Sequence, residues 1–404
     1  MLLTDNFPPE FNAPATRSFE HAQRWIRAGA QVVVVTTTPN FPAGKVFPGY
    51  RNLPFQRETL AGVDVVRVWT YVTANRGIVR RSLDYLSFMC TGLLAALFLP
   101  RPDVIIGTSP QFFAACAAWG AAVVKRSAFV FELRDLWPDS IVAVGAMRES
   151  AAIRMLRRVE YFLYDKAARI VTVTESFKRE LVQNGIPGDK IAVVRNGVDL
   201  AEFTPGPAPN GLRAKHGLGE RFVAAYIGTI GMAHGLETVL QAAERLRDDP
   251  RIAFLLVGDG AERSRLQRLA ESRGLENVVF AGAVKRGEII DYWRLAGAAL
   301  ILLRDRTLFR QVLPSKMFEA MATGCPIVLG VRGESAQIVE SSSCGVVVPP
   351  EDDQAVARAV LGLANDPAEA ARLGRNGRRQ AAERFDRDEL ALTMLSELRA
   401  AACG

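Results

Sequence analysis

The chain has 404 residues, 49% of them apolar and 23% charged, which excludes a disordered segment and, at this length, a single hydrophobic core. Its three histidines and its five cysteines without close pairing exclude a disulfide framework or zinc centre and fit a reduced, cytoplasmic protein with no protein-built metal site. The net charge of +7 lies wholly in the first half: residues 1–200 hold 24 Lys/Arg against 17 Asp/Glu, whereas residues 201–404 hold 26 against 26.

In chain order, residues 2–4 read as a short strand, 16–28 as a helix and 31–37 as a second strand. Strand–helix pairs recur at 104–106 with 112–125, at 128–132, and at 170–174 with 176–184. The stretches 41–58 and 136–144 read as long irregular connections at strand ends, where such folds place ligands. Pro205-Gly206-Pro207-Ala208-Pro209-Asn210-Gly211 is the strongest punctuation, and it places a boundary between domains 1–203 and 204–380, with a helical segment at 381–404 expected to pack back towards the first domain. A second alternating series follows, with strands near 223–228, 252–257, 278–280, 298–303, 326–331 and 346–348. Two doubly wound Rossmann-like α/β domains facing across a cleft are expected.

No basic leader precedes the first apolar residues, and the most lipid-like run, 86–100, falls short of the roughly 20 residues that span a bilayer. The basic first half lacks the aromatic–basic interleaving of a nucleic-acid surface, so no nucleic-acid partner is expected. Within residues 71–99, Arg76, Arg80 and Arg81 lie beside Leu83, Tyr85, Leu86, Phe88, Met89, Leu93 and Leu94, a pattern suited either to an anionic membrane interface or to core packing.

Lys316 and Glu319 stand three residues apart on a short helix between Pro314 and Gly324, and so share a face. A cation for bridging phosphates and an acceptor for a ribose diol are what a nucleotide-sugar requires; a surface ion pair is the plainer alternative. Gly228-Thr229-Ile230-Gly231-Met232-Ala233-His234-Gly235 follows a strand and is built like an anion nest, with His234 as a further donor or simply a packed turn residue. Gly258, in Val257-Gly258-Asp259-Gly260, marks either a donor loop or a structural turn; the spacing is wrong for a nicotinamide site. Gly333 and Glu334 open another helix, where Glu334 is placed to accept from a sugar hydroxyl or merely to complement the helix N-terminus. In the first half, Asn12 follows the first strand, and Arg134 beside Asp135 follows a buried one, as acceptor-positioning groups or an internal ion pair.

Together these stretches resemble the retaining nucleotide-sugar glycosyltransferases of family 4, which have the GT-B fold, and most of all the bacterial colanic-acid and O-antigen, L-fucosamine-transferase-like subgroup. The resemblance rests on 171–187, 190–199, Val257-Gly-Asp-Gly260 and Pro314-Ser-Lys-Met-Phe-Glu-Ala-Met-Ala-Thr-Gly-Cys-Pro326. It implies transfer of a sugar, an N-acetylated amino sugar by subgroup, from a UDP-sugar to a polyprenyl-diphosphate-linked saccharide, without metal or cofactor, at the inner face of the bacterial membrane. Glu319 matches the second acid of the family's paired-acid signature and Gln311 replaces the first, with Ser315 among the donor contacts. Thr229 and His234 stand where the family often has Arg and Lys. Arg134 stands where an acceptor-side histidine is usual, which moves any base role to Asp135. A UDP-N-acetylhexosamine 2-epimerase and a non-enzymatic sugar- or nucleotide-binding module are the alternatives.

Overall fold

The computed structural model describes residues 1–10, 12–41, 43–73, 78–109, 111–138, 142 and 149–403. They form two compact α/β units: Met1–Arg195 with Asp388–Gly404, and Asn196–Arg387.

The first unit is built on an eight-stranded sheet of order β3-β4-β2-β1-β5-β6-β7-β8. Its strands are β1 (Leu2–Leu3), β2 (Val33–Thr37), β3 (Phe55–Leu60), β4 (Val63–Val68), β5 (Val104–Thr108), β6 (Ala128–Leu133), β7 (Arg169–Thr172) and β8 (Ile191–Val193). All neighbours are parallel except β3 and β4, a hairpin over residues 55–68 whose first four residues fall in the stretch 41–58 expected to be irregular. β3 alternates exposed and half-buried residues and is charged, so it lacks the apolar run that marks the buried strands. Helix Phe112–Lys125 presents Ala114, Ala115, Ala118 and Ala121 to the sheet. These small residues let it come so close that a Cβ on Gly107 of β5 would stand 2.6 Å from the Ala115 Cα.

The second unit has a six-stranded, wholly parallel sheet of order β11-β10-β9-β12-β13-β14. Its strands are β9 (Phe222–Ile227), β10 (Ile252–Val257), β11 (Val278–Gly282), β12 (Ala298–Leu302), β13 (Ile327–Gly330) and β14 (Gly345–Val347). Every residue of β10 is buried, as a strand covered on both faces requires. The chain order reverses between β9 and β12, and the corresponding reversal in the first unit lies between β1 and β5. Ligands of doubly wound sheets bind at such switch points, beyond the strands' carboxyl ends.

The contact division departs from the boundaries expected at 203/204 and 380/381. Val198 and Phe203 are buried in the second unit's core, and Val198 exchanges backbone hydrogen bonds with Phe385 and Arg387. The proline-rich stretch is a surface loop of that unit, with Thr204 held by Arg294 at 2.8 and 3.1 Å. The last helix, Arg387–Cys403, places Met394, Leu395, Leu398 and Ala401 in a cluster with Leu2, Phe7, Ala22 and Trp25 of the first unit.

Candidate active site

At the second switch point four loops lie stacked backbone to backbone in two pairs, the loop after β9 with that after β10 and the loop after β12 with that after β13, and glycine is what permits it. A Cβ on Gly258 would stand 2.0 Å from the Gly228 carbonyl oxygen, one on Gly260 2.4 Å from that of Ile230, and one on Gly333 1.9 Å from that of Arg310. Gly258 and Gly333 are therefore first of all packing requirements; both also have positive φ, where side chains are strained. Gly231 is under no such constraint, since a Cβ there would make ordinary contacts at 3.6 Å. The N–H groups of Gly228, Ile230 and His234 are spent on the carbonyls of Val257, Asp259 and Gly231. An anion at this loop would be met by other donors, such as Thr229 and Gly231.

Lys316 emerges from the first turn of helix Ser315–Thr323, and its amine reaches back under Gly228, 2.9 Å from where a Cβ would be. The nitrogen is buried and makes no hydrogen bond among the described residues; it lies 3.8 Å from the centroid of the Tyr226 ring. Burial lowers its pKa to about 7, against a smaller opposing pull from Glu319. Cation–π contact compensates a buried ammonium only in part. Tyr226 is fixed by donating to the Thr229 carbonyl at 2.6 Å, and His234 packs edge-on to the same ring at 5.6 Å. Burial, then the Lys316 charge, lowers the His234 pKa to about 4, so the ring is neutral at physiological pH.

One turn along the helix, Glu319 accepts from the Trp293 indole N–H at 3.0 Å. Burial raises its pKa, with the Trp293 hydrogen bond and the Arg387, Lys316 and Arg286 charges opposing. Gln311 ends a short turn, Thr307–Gln311, ahead of the exposed Ser315. Glu334 is buried as the first residue of helix Glu334–Ser342.

The first unit has a cavity of about 350 Å³ at its own switch point, lined among others by Asp5, Asn12, Arg81, Asp84, Asp135 and Trp137. Asn12 is mainly structural: its side-chain oxygen caps helix Ala13–Arg27 through the Ala15 N–H, and its amide donates to Asn6 at 2.8 Å. Arg134 does not line the cavity. It sits beside Glu132, itself bonded to Arg17 at 2.9 Å, and burial lowers the Arg134 pKa to about 10. Burial pushes the Glu132 carboxyl up, but Arg17 and Arg134 outweigh it and hold the carboxyl below its usual range. Asp135 faces the cavity, on a loop whose Arg134 and Asp135 N–H groups both donate to Ser109 Oγ, at 2.7 and 3.1 Å. Arg76 lies outside the described residues, and Arg80 is exposed. Arg81 turns inward and donates to the Tyr85 hydroxyl at 2.8 Å, so it belongs to the cavity and not to a basic surface cluster.

Two family models match, the glycosyl transferase 4-like domain over residues 12–197 and the glycosyl transferases group 1 over residues 211–380. A putative colanic acid biosynthesis glycosyl transferase of Escherichia coli, WcaI, is 26% identical over 363 residues, 87% of this chain and 88% of its own. The chain belongs to the family 4 glycosyltransferases. This glycosyltransferase is also 30% identical, over 224 residues, to a GDP-mannose-dependent phosphatidylinositol monomannoside mannosyltransferase of Mycolicibacterium smegmatis, covering 54% of this chain and 59% of the relative. Among solved structures, the Anabaena protein HepE in complex with UDP-glucose superposes with a TM-score of 0.73 at 18% identity, over 99% of each chain, which shows the GT-B fold.

Three residues of the candidate site, Tyr226, Trp293 and Ser109, escaped the sequence reading. Tyr226 sits inside the apolar run of β9, and Trp293 inside helix Ile289–Leu295, where each looks like any core aromatic. Ser109 was likewise unmarked. Only the polar atoms these residues supply to Thr229, Glu319 and the Asp135 loop distinguish them.

Proposed function

We propose that this glycosyltransferase moves a sugar from a UDP-sugar to a polyprenyl-diphosphate-linked saccharide in surface polysaccharide synthesis, with retention at the anomeric carbon. The observation that carries the donor reading is the Lys316 amine, buried beneath the Gly228 loop with no hydrogen-bond partner among the described residues. As the glycosyl bond breaks, negative charge grows on the distal phosphate, and a fixed cation there favours the transition state over the ground state. Glu319, oriented by Trp293, takes the donor ribose hydroxyls, and Asp135 is the carboxylate offered to the acceptor hydroxyl. The cation this scheme needs is supplied by the protein, so turnover in excess chelator is expected.

The colanic-acid name of the Escherichia coli relative supports the polysaccharide setting; the N-acetylated amino sugar rests on the sequence resemblance alone. The UDP-glucose bound to HepE supports uridine, against which stand relatives that use GDP-mannose. A peripheral position at the inner membrane face is part of the proposal: Trp69, Tyr71, Leu83 and Leu86 are exposed, and Arg80 lies beside the last two on helix Ile78–Phe98. Among the described residues no helix is long and apolar enough to cross a membrane.

The test is release of UDP or GDP from a panel of nucleotide-sugars, with and without a polyprenyl-diphosphate saccharide. Acceptor-dependent release of UDP is expected. Release of GDP alone would overturn the uridine assignment, and release indifferent to acceptor would overturn the transfer. Lys316→Ala is expected to lower kcat roughly 100-fold, about 3 kcal/mol, as loss of one transition-state donor does. A fall below about threefold would contradict its role.

A further inference from the structure

The cavity of the first unit carries more than its lining was expected to. It opens where β1, β2, β5 and β6 end, closed on one side by helix Ile78–Phe98. Three carboxylates, Asp5, Asp84 and Asp135, line it against one guanidinium, Arg81. One carboxylate oxygen of Asp5 is buried and accepts no hydrogen bond among the described residues, and the Arg81 Nε is likewise buried without a partner. Burial, then the charges of Asp84 and Glu10, holds the Asp5 carboxyl well above its usual range, Arg81 opposing. Asp84 is raised to about 6, by burial first, with Arg81 opposing and Glu10 adding to the rise. Glu10 itself is engaged, accepting from the Asn40 and Phe41 N–H groups at 2.7 and 2.8 Å.

Aromatic rings line the same cavity. Phe112 stacks on Trp137 at 4.8 Å between centroids, Phe113 meets Trp137 edge-on at 6.2 Å, and Tyr85 lies parallel to Phe113 at 6.4 Å. Carboxylate oxygens and aromatic rings lining one cavity match a pyranose, whose hydroxyls donate at its edge while its axial C–H bonds form an apolar face. An anion finds the reverse: carboxylates crowded until burial and mutual repulsion already disfavour their charge. At about 350 Å³ the space lies at the small end of ligand pockets, room for a monosaccharide and not for an extended chain.

We propose that this cavity holds one uncharged pyranose, the terminal sugar of the acceptor, with Asp5 and Asp84 accepting its hydroxyl protons and Tyr85, Phe113 and Trp137 covering its C–H face, while the acceptor's pyrophosphate stays outside. As to the acceptor, this rests on the transferase reading above and sharpens it: the site selects the acceptor by its last sugar and not by its phosphates.

The full chain labelled with 5-fluorotryptophan gives five fluorine signals, one per tryptophan. Trp137→Phe and Trp293→Phe assign one reporter in each unit. The probes are methyl glycosides of neutral hexoses, 6-deoxyhexoses and N-acetylhexosamines, methyl glucosaminide as a cation, inorganic pyrophosphate, and UDP. At least one uncharged glycoside is expected to shift the Trp137 signal saturably, pyrophosphate is not, and Asp84→Asn or Tyr85→Ala is expected to weaken glycoside binding at least about tenfold. The remaining tryptophan signals show whether each variant is folded, and Asp5→Asn serves if Asp84→Asn is not. The proposal is overturned if no uncharged glycoside moves Trp137, if pyrophosphate or the cationic glycoside binds there more tightly, or if folded Asp84→Asn and Asp5→Asn bind like wild type. A Trp293 shift with UDP but no Trp137 response to glycosides refutes the cavity assignment and leaves the donor reading standing. The reverse pattern refutes the donor reading alone.

Discussion

Lys316 is charged at a cost that only an anion relieves. In the free protein its pKa of about 7 leaves it about half protonated near neutrality. A diphosphate stabilises the ammonium and raises that pKa, so binding above pH 7 must take up a proton. Calorimetry at about pH 8 in buffers of different ionisation heat is expected to show uptake approaching one proton for wild type and near none for Lys316→Ala. Equal uptake in both would contradict the assignment. His234, with its pKa lowered to about 4, is neutral throughout this window and adds nothing. The same depression has a sign for folding: from about pH 7 up to the ordinary lysine value the unfolded chain binds more protons, so this residue makes the ligand-free protein more stable as pH rises. The spacing of Lys316 and Glu319 was legible in the sequence because it needs only a helix. The Tyr226 face under the amine and the Trp293 N–H on the carboxylate were not, because both partners come from distant elements.

The loop beyond β9 meets that beyond β10, and the loop beyond β12 meets that beyond β13, through glycines that the sequence marked while leaving open what each was for. Gly258 and Gly333 answer to backbone contact, and Gly228 makes room for the Lys316 amine. The buried parallel strands were readable from their continuous apolar runs. The β3–β4 hairpin was not, since half of β3 faces solvent, and neither were helices Ala151–Lys166 and Pro367–Arg384. The final helix was recognised and expected to pack back towards the first domain, although spacing alone does not name the residues it meets. It buries Met394 against the first unit's core, and its Ala391 carbonyl accepts from the Trp25 indole at 2.9 Å. Met394→Ala is therefore expected to destabilise that unit by about 2–5 kcal/mol, measured by denaturant unfolding. A loss under about 1 kcal/mol would show the helix to be dispensable packing.

At the scale of the whole chain, the proposed function divides the work between the two sheets: a neutral second half would take the nucleotide, and a first half of net +7 would take what approaches it. Helix Ile78–Phe98 shows why periodicity alone does not separate a surface that could meet a membrane from core packing. Arg81, Tyr85 and Phe88, read as one amphipathic surface with their neighbours, point into the cavity or the core, and Leu83 and Leu86 with Arg80 point out. Flotation with vesicles rich in anionic lipid is expected to carry wild type and to lose most of an Arg80→Glu/Leu83→Asp/Leu86→Asp variant, more so at high salt. Co-flotation unchanged by the substitutions would contradict this face. The central claim, that an amine and a glycine-lined loop converge on the donor's diphosphate, is tested most directly by a crystal structure with UDP. The distal phosphate is predicted within about 3 Å of Lys316 Nζ and against the Gly228–Gly231 loop. A diphosphate bound elsewhere, with the amine still resting on Tyr226, would contradict it.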